Sequence, residues 1–169
     1  YFYLTKPLNN RTNKLNNHKI SKIYKKHSHY IKIIYCGSVS KRHDFISFFK
    51  ALENIKNKKI CLYICGKGVF YEELKNKFRN SKKLFFIGWV NNNELNYLLS
   101  KCDYGLLPYK SKDFKMSYPN KISEYLSNNL KIITCTDGLT KKLIIRKKIG
   151  YYYKYKSEIS VFNILQKIK

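Results

Sequence analysis

Acidic residues are scarce in this sequence of 169 residues: 10 Asp and Glu stand against 35 Lys and Arg, a formal net charge of +25. Such an excess by itself suggests nucleic acid or an anionic membrane surface as a partner. The chain is, however, broadly rich in Lys, Asn, Ile and Tyr, which AT-rich codons favour, so base composition explains much of the charge. We keep an attraction to anionic lipid or to phosphorylated ligands as an expectation.

Long apolar runs are also absent. No run approaches the 18 residues or more that a membrane-spanning helix needs, and no signal peptide is evident. We therefore expect a cytoplasmic protein, with peripheral contact at the inner face of the plasma membrane as a further expectation. The chain starts at Tyr1 without a Met, which we interpret as a fragment or a processed piece. Its length and its 44% of apolar residues suit one domain with a proper core.

Cysteine occurs five times and histidine four times, both at scattered positions. An odd number of cysteines beside apolar runs is typical of buried thiols in a reducing cytoplasm. Cys61 and Cys65 would share one face of a strand, but no second pair accompanies them. We therefore predict that the chain holds no zinc ion.

Several sequence fingerprints of catalysis and nucleotide binding are missing. Gly66 and Gly68 lack the third glycine and the following acid of the dinucleotide motif, so we exclude nicotinamide and flavin binding. No glycine precedes a Lys-Ser or Lys-Thr pair at the spacing of a phosphate-binding loop. His43 and Asp44 are neighbours in sequence and do not face each other on a helix, so we assign them no acid–base role. The catalytic residues stay unknown.

Strand-like apolar runs alternate with helical spacing from residue 31 onward. Strands are predicted at 31–36, 60–65, 84–87, 104–107, 131–135 and after Gly150, and helices at 44–55, 70–78, 93–101, from Pro119, 140–147 and 157–168. Because the strands are apolar along their whole length, they are typical of a parallel sheet covered on both faces. We predict a Rossmann-like α/β domain of about six strands over residues 31–169. Residues 1–30 are interpreted as a basic linker or the remnant of an upstream domain.

Glycine turns follow the first three predicted strands, at the edge where ligands of open parallel sheets bind. Glycine permits positive φ and close approach of a ligand to the main chain. After Gly37, Ser38 offers a hydroxyl, and Lys41 or Arg42 can reach a diphosphate, although both also suit a solvated first turn. Trp89 suits either stacking on a base or packing under its loop, and the residues alone favour packing.

Pro119 opens a helix after the fourth strand. A proline at the first helical position leaves the amides of Asn120 and Lys121 as donors, and such an end attracts anions. Glu124 lies four residues after Asn120, on the same face of the helix. A ligand with a phosphate and vicinal hydroxyls would engage both features, while the alternative is an ordinary helix start with Glu124 in solvent.

Five segments together resemble the C-terminal, donor-binding half of the GT-B glycosyltransferases. The similarity is to the group 1, or family 4, bacterial enzymes that build surface polysaccharides, and it covers about residues 31–155. The most specific segment is Pro119-Asn120-Lys121-x-x-Glu124-Tyr125. The five segments span residues 35–38, 62–68, 85–90, 106–108 and 119–125.

The resemblance implies a glycosyltransferase that holds a nucleotide sugar, such as a UDP- or GDP-sugar, in this domain. It implies that Glu124 accepts hydrogen bonds from the ribose hydroxyls and that Trp89 and Val90 contact the base. It places the diphosphate against the following residues: Gly37, Ser38, Lys41 or Arg42, and Pro119 to Lys121. The turn at Gly66 and Gly68 supports this site. The resemblance implies no metal or cofactor. It also implies that a hexose-type sugar is transferred with retention at the anomeric carbon, and that the acceptor is a polysaccharide, lipopolysaccharide or glycolipid.

Two departures from the family pattern qualify these expectations. Met116 stands where many members carry a second glutamate that contacts the donor sugar. Fewer than 40 residues precede the first strand, so the N-terminal, acceptor-binding half is missing and would have to be supplied in cis or by a separate chain. We therefore expect little or no transfer by this chain alone.

Two alternatives stay open at this point. One is a basic nucleic-acid-binding α/β module, motivated by the net charge, and the other is an inactive truncated remnant. Nucleic acid is the less expected partner, because no aromatic residues alternate with the charges of the Lys-rich helix 140–148 to stack on bases.

Overall fold

A computed structural model describes residue 25, residues 27–110 and residues 116–169. Along these residues, strands and helices alternate as predicted, and the element boundaries differ from the expected ones by at most two residues. The strands are β1 Ile31–Cys36, β2 Ile60–Cys65, β3 Leu84–Gly88, β4 Tyr104–Leu107, β5 Lys131–Thr134 and β6 Gly150–Tyr152. The helices are α1 Phe45–Asn54, α2 Tyr71–Lys77, α3 Asn92–Leu99, α4 Lys121–Ser127, α5 Leu139–Lys147 and α6 Glu158–Lys167.

The strands form one sheet in the order β3-β2-β1-β4-β5-β6, and every paired neighbour is parallel. After β1 the chain builds outward through β2 and β3, and from β4 it builds in the opposite direction through β5 and β6. The strand order therefore reverses between β1 and β4. In open parallel sheets this reversal leaves a crevice at the carboxyl ends of the two strands.

Helices cover both faces of the sheet, which confirms the predicted Rossmann-like class. Ile33 and Tyr35 of β1 face a core that includes residues of α1, α2 and α6. Ile34 and Cys36 of the same strand face a second core that includes residues of α3, α4 and α5. Successive strand residues point to opposite faces, so a strand that is apolar at every position requires cover on both sides.

Tyr125 of α4 connects the two strands at the reversal. Its side chain is fully buried, and its hydroxyl accepts a hydrogen bond from the Cys36 amide at 3.2 Å and donates to the Leu106 carbonyl at 3.3 Å. The ring lies directly over Gly105 of β4, where an added Cβ would come within 2.2 Å of it. Tyr125 thereby fixes α4, and Glu124 beside it, at the junction of β1 and β4.

The predicted linker falls mostly outside the described residues. At its C-terminal end His27 is buried, and its ring lies 4.4 Å from the ring of Phe85, centroid to centroid. Residues 111–115, in the loop between β4 and α4, are likewise outside the described part of the chain. No described helix is long and apolar enough to cross a membrane.

The five cysteines are all free thiols. Burial is the main cause of the rise in pKa of Cys36 and Cys61 to about 11 and of Cys135 to about 12, and it also raises the pKa of Cys65 and Cys102. Cys61 and Cys65 lie in the same core, as the strand period predicts. Among the described residues no group of His, Cys, Asp or Glu is arranged to hold a metal ion.

We expect these thiols to react slowly with Ellman's reagent at pH 8. The thiolate is the reactive form, and a pKa raised by two units reduces its population about a hundredfold at this pH. Native protein should therefore react at least about a hundredfold more slowly than protein in guanidinium chloride, in which all five thiols should react. Rapid reaction of one thiol in the native protein would contradict the burial of that cysteine.

Candidate functional site

The loops that follow β1, β2 and β3 are hydrogen-bonded side by side at the carboxyl edge of the sheet. The Gly37 amide donates to the Cys65 carbonyl at 3.0 Å, and the Gly66 amide donates to the Gly88 carbonyl at 2.6 Å. Further out, the Val39 amide donates to the Lys67 carbonyl at 2.9 Å. The predicted glycine turns thus form one continuous rim beside the reversal of strand order.

Gly66 and Gly68 have a structural role within this rim. Their φ angles are +132° and +155°, a region that side chains with Cβ rarely adopt. A Cβ at Gly66 would lie 2.0 Å from the Gly37 carbonyl oxygen, and a Cβ at Gly68 would lie 2.3 Å from the Val39 carbonyl oxygen. Close packing of the loops therefore accounts for both glycines, and ligand contact by either one stays a prediction.

The basic residues after β1 lie at the surface. Ser38, Lys41 and Arg42 are exposed, and the Tyr35 hydroxyl donates to the Ser38 carbonyl at 2.5 Å. The Lys41 ammonium pairs with Glu73 at 3.2 Å, so in this structure its side chain is directed toward α2. Contact of Ser38, Lys41 and Arg42 with a diphosphate stays a prediction. For Lys41, such a contact would require a change of rotamer.

Trp89 and Val90 follow β3 and differ in exposure. Trp89 is 70% exposed, so the expectation that it packs under its own loop is wrong. Val90 is half-buried and packs against the second core. The next residue, Asn91, caps α3 in a reciprocal arrangement: its side chain accepts from the Glu94 amide, and the Glu94 carboxylate accepts from the Asn91 amide, both at 3.0 Å. The loop is therefore anchored while the indole ring faces solvent.

At the start of α4, Pro119 is buried and Asn120 is exposed at the N-cap without a side-chain capping bond. The Lys121 ammonium lies 2.6 Å from the Glu124 carboxylate, and both side chains are about a third exposed. The negative charge of Glu124 adds to the rise in pKa that burial causes at Cys36 and at Tyr109. The hydrogen bonds of the next residue, Tyr125, to Cys36 and Leu106 place this turn of α4 beside the ends of β1 and β4.

The carboxyl edge carries groups of the kinds that nucleotide sites use. Glycine loops permit close approach of a ligand, the partly exposed Glu124 is an acceptor for vicinal hydroxyls, and Trp89 offers a stacking surface. Met116, at the position of the missing second glutamate, is 87% exposed and offers no carboxylate. The edge can therefore bind by hydrogen bonds and stacking from several loops at once.

The family model of the group 1 glycosyl transferases matches residues 30–163. The chain belongs to this family. A search of the curated proteins finds no match. The group 1 match spans all six strands and includes the glycine rim and the α4 segment.

Solved structures similar to this group 1 chain show the same fold. Alr3699/HepE of Anabaena, solved in complex with UDP-glucose, superimposes with a TM-score of 0.70 at 14% identity over 87% of this chain and 42% of that one. The C-terminal domain of the group 1 protein LpcC of Francisella tularensis has a TM-score of 0.65 at 20% identity over 81% of this chain and 73% of that one.

A third similar structure is the catalytic domain of the cholesterol-α-glucosyltransferase of Helicobacter pylori. It superimposes with a TM-score of 0.61 at 18% identity over 80% of this chain and 83% of that one. The chain spans about two fifths of the HepE structures it matches, with 41% of that chain covered in the complex with UDP and glucose. The fold is that of the C-terminal half of a GT-B glycosyltransferase, which confirms the resemblance stated from the sequence.

Proposed function

We propose that this chain is the nucleotide-sugar-binding domain of a retaining glycosyltransferase. The proposal rests on one observation: Glu124 and the glycine rim lie at the reversal of strand order, in a chain of the group 1 family. The binding of UDP-glucose by HepE, a protein of the same fold, supports a nucleotide sugar as ligand. The sugar is of the hexose type, and the acceptor is a cell-surface polysaccharide, lipopolysaccharide or glycolipid.

In this proposal each group has a defined task in binding the donor. Glu124 accepts hydrogen bonds from the ribose hydroxyls, and Trp89 and Val90 contact the base. Gly37, Ser38 and the residues from Pro119 to Lys121 contact the diphosphate. Lys41 or Arg42 stabilises the negative charge that develops on the departing diphosphate, so that no divalent ion or cofactor is needed.

Transfer of the sugar requires more than this domain in the proposal. An N-terminal domain, in cis or on a separate chain, binds the acceptor and completes the catalytic surface. We therefore expect donor binding without appreciable transfer by the 169 residues alone. The proposed location is the cytoplasm, with peripheral contact of the basic surface at the inner face of the plasma membrane.

Isothermal titration calorimetry with UDP, GDP and their glucose and mannose conjugates tests the proposal. We expect saturable binding of one nucleotide series, unchanged by EDTA. Absence of binding by the folded chain would contradict the proposal. The titration should be made in at least two salt concentrations, because phosphate contacts by surface lysines are screened.

The net charge of +25 favours a nucleic-acid-binding module as the second candidate. Fluorescence anisotropy with a labelled oligonucleotide separates the two functions. Oligonucleotide affinity that falls steeply with salt, together with no response to nucleotide sugars, would support the second candidate and contradict the first.

A further inference from the structure

A cavity of about 390 Å³ lies between the N-terminal ends of α1 and α2 and the loop from β6 to α6. Asp44 and Ser47 line it from α1, Phe70 and Glu73 from α2, and Lys156 from the loop. Its volume is in the range of small-molecule sites in proteins. It lies on the side of the sheet covered by α1, α2 and α6.

The proposed donor site lies elsewhere on the carboxyl edge. Glu124 belongs to α4, which packs on the opposite face of the sheet, and neither Glu124 nor Trp89 nor Gly37 lines the cavity. Lys41 is the one proposed donor contact that does. The two sites are therefore neighbours that share one flexible lysine, and a ligand can occupy the cavity without contacting Glu124.

The cavity is built around a buried carboxylate. Asp44 is 5% exposed, and its Oδ2 accepts the Lys156 amide at 2.7 Å across 112 residues of sequence. Asp44 occupies the N-cap of α1 but makes no capping hydrogen bond to that helix. Its carboxylate instead fixes the β6–α6 loop, where Lys156 adopts a left-handed conformation with φ of +56°.

The Ser47 hydroxyl opens on the same cavity. Ser47 as a residue is 6% exposed, but its hydroxyl oxygen is not among the sealed, unpaired oxygens of the described residues. Water or a ligand in the cavity can therefore reach it. Because Ser47 lines the cavity, a ligand placed there can supply a hydrogen-bond partner for this hydroxyl.

The charges of the wall determine which class of ligand fits. The wall carries two carboxylates, two ammonium groups and one imidazole: Asp44, Glu73, Lys41, Lys156 and His43. Lys41 and Glu73 are paired at 3.2 Å. An anionic ligand would face the buried Asp44, and a cationic ligand would face the two lysines. A neutral ligand with several hydroxyls can donate to the carboxylates and accept from the ammonium groups at once.

The apolar part of the wall fits the same ligand. Phe70 and Tyr155 line the cavity together with Ile46. Phe70 is 7% exposed and the centroid of its ring lies 5.5 Å from the Lys41 ammonium, so the half-buried Tyr155 supplies the more accessible aromatic surface. A sugar ring has both an apolar C–H face and a rim of hydroxyls. We propose that Asp44, Ser47 and the aromatic wall bind a neutral glycosyl residue of a saccharide, at a second site beside the proposed donor site.

Two-dimensional amide NMR of the whole chain tests this proposal with methyl α-D-glucopyranoside and methyl α-D-mannopyranoside as neutral probes and glucose 1-phosphate as the anionic probe. We expect at least one neutral probe to shift the amides of residues 45–47 and 156 in a saturable way. Asp44→Asn should weaken that binding about tenfold, because Asn can still accept the Lys156 amide but has lost the charge that strengthens hydrogen bonds to hydroxyls.

Asp103→Asn is the matched control for the Asp44 variant. Asp103 lies just before β4, at the opposite end of the sheet, and its Oδ2 also accepts a distant main-chain amide, that of Lys32 in β1, at 2.7 Å. Its replacement should leave probe binding unchanged. If Asp44→Asn does not fold, Ser47→Ala takes its place. It removes the hydroxyl that lines the cavity, keeps the Asp44 contact with the Lys156 amide, and should weaken binding severalfold.

Three results would overturn the proposal. They are saturable shifts confined to the region of Gly37 and Glu124, absence of saturable shifts with both neutral probes, and cavity shifts with glucose 1-phosphate alone. A UDP titration of the same sample, which should perturb Glu124, tests the donor site independently of the neutral probes. Failure of one site is thereby distinguished from failure of the other.

Discussion

Glu124→Gln is expected to weaken UDP binding about ten- to a hundredfold. A hydrogen bond between a carboxylate and a hydroxyl is worth roughly 1.5 to 3 kcal/mol, and the neutral amide of Gln accepts less strongly. The fold should be unaffected, because Glu124 is about a third exposed and its side chain is paired only with Lys121 among the described residues. Calorimetric titration of both proteins with UDP measures the change.

Glu72→Gln on α2 provides the matched control for this prediction. Glu72 forms the same kind of ion pair, with Lys75 three residues later, on an exposed helix surface that contributes no residue to the proposed donor site. Its replacement should leave UDP affinity unchanged. Equal losses of UDP affinity in the two variants would point to the general electrostatic field of the protein. An unchanged UDP affinity in Glu124→Gln would show that this carboxylate does not contribute to binding.

Gly66→Ala is expected to destabilise the folded domain by more than about 2 kcal/mol, in addition to any effect on binding. The added Cβ would lie 2.0 Å from the Gly37 carbonyl oxygen, and main-chain atoms cannot rotate away as a side chain can. The loops after β1 and β2 would have to separate, which breaks the hydrogen bond from the Gly37 amide to the Cys65 carbonyl. Urea denaturation followed by circular dichroism measures the loss.

Comparison of Gly66→Ala with Gly88→Ala distinguishes the effect of steric collision on stability from that of backbone strain. Gly88 also has a positive φ, of +84°, but its added Cβ would meet only the Tyr71 hydroxyl at an ordinary 3.7 Å. The backbone cost alone is about 1–2 kcal/mol. Gly66→Ala should therefore lower the free energy of unfolding clearly more than Gly88→Ala. Equal losses of free energy in the two variants would contradict the close packing of the loops after β1 and β2.

The fold was predictable from sequence because its signals are local. Apolar runs such as Ile31 to Cys36 and Ile60 to Cys65 coincide with strands, since burial on both faces leaves few polar positions in them. Asparagine is a favoured N-cap residue, and Asn91, in an Asn-rich segment, caps α3. The grouping of glycine turns at one edge followed from the parallel arrangement, in which all carboxyl ends meet at the same side.

The parts of the site that sequence reasoning missed depend on distant contacts. Nothing local indicates that the Asp44 carboxylate accepts the Lys156 amide 112 residues away, so the cavity between them had no sequence signal. The exposure of Trp89 was also predicted wrongly, because a lone tryptophan in a loop is usually covered, whereas here the Asn91 cap anchors the loop without using the indole. The structural need for Gly66 likewise arises from a neighbouring loop.

The two proposed sites give the carboxyl edge a consistent organisation. On the α4 side the edge offers Glu124 and the exposed Trp89, and on the α1 side it offers the cavity around Asp44 and Ser47. Lys41 lines the cavity, is also a proposed donor contact, and is paired with Glu73 in this structure. A nucleotide and a saccharide bound in this way would lie side by side at the end of the sheet.

The most direct test of the central claim compares UDP with 2′-deoxy-UDP on the unmodified chain and on Glu124→Gln. If Glu124 holds the ribose, removal of the 2′-hydroxyl should weaken binding to the unmodified chain about tenfold and should change binding to the variant at most about twofold. An equal loss in both proteins, or no loss in the unmodified chain, would contradict the assignment of Glu124 as the ribose-binding carboxylate.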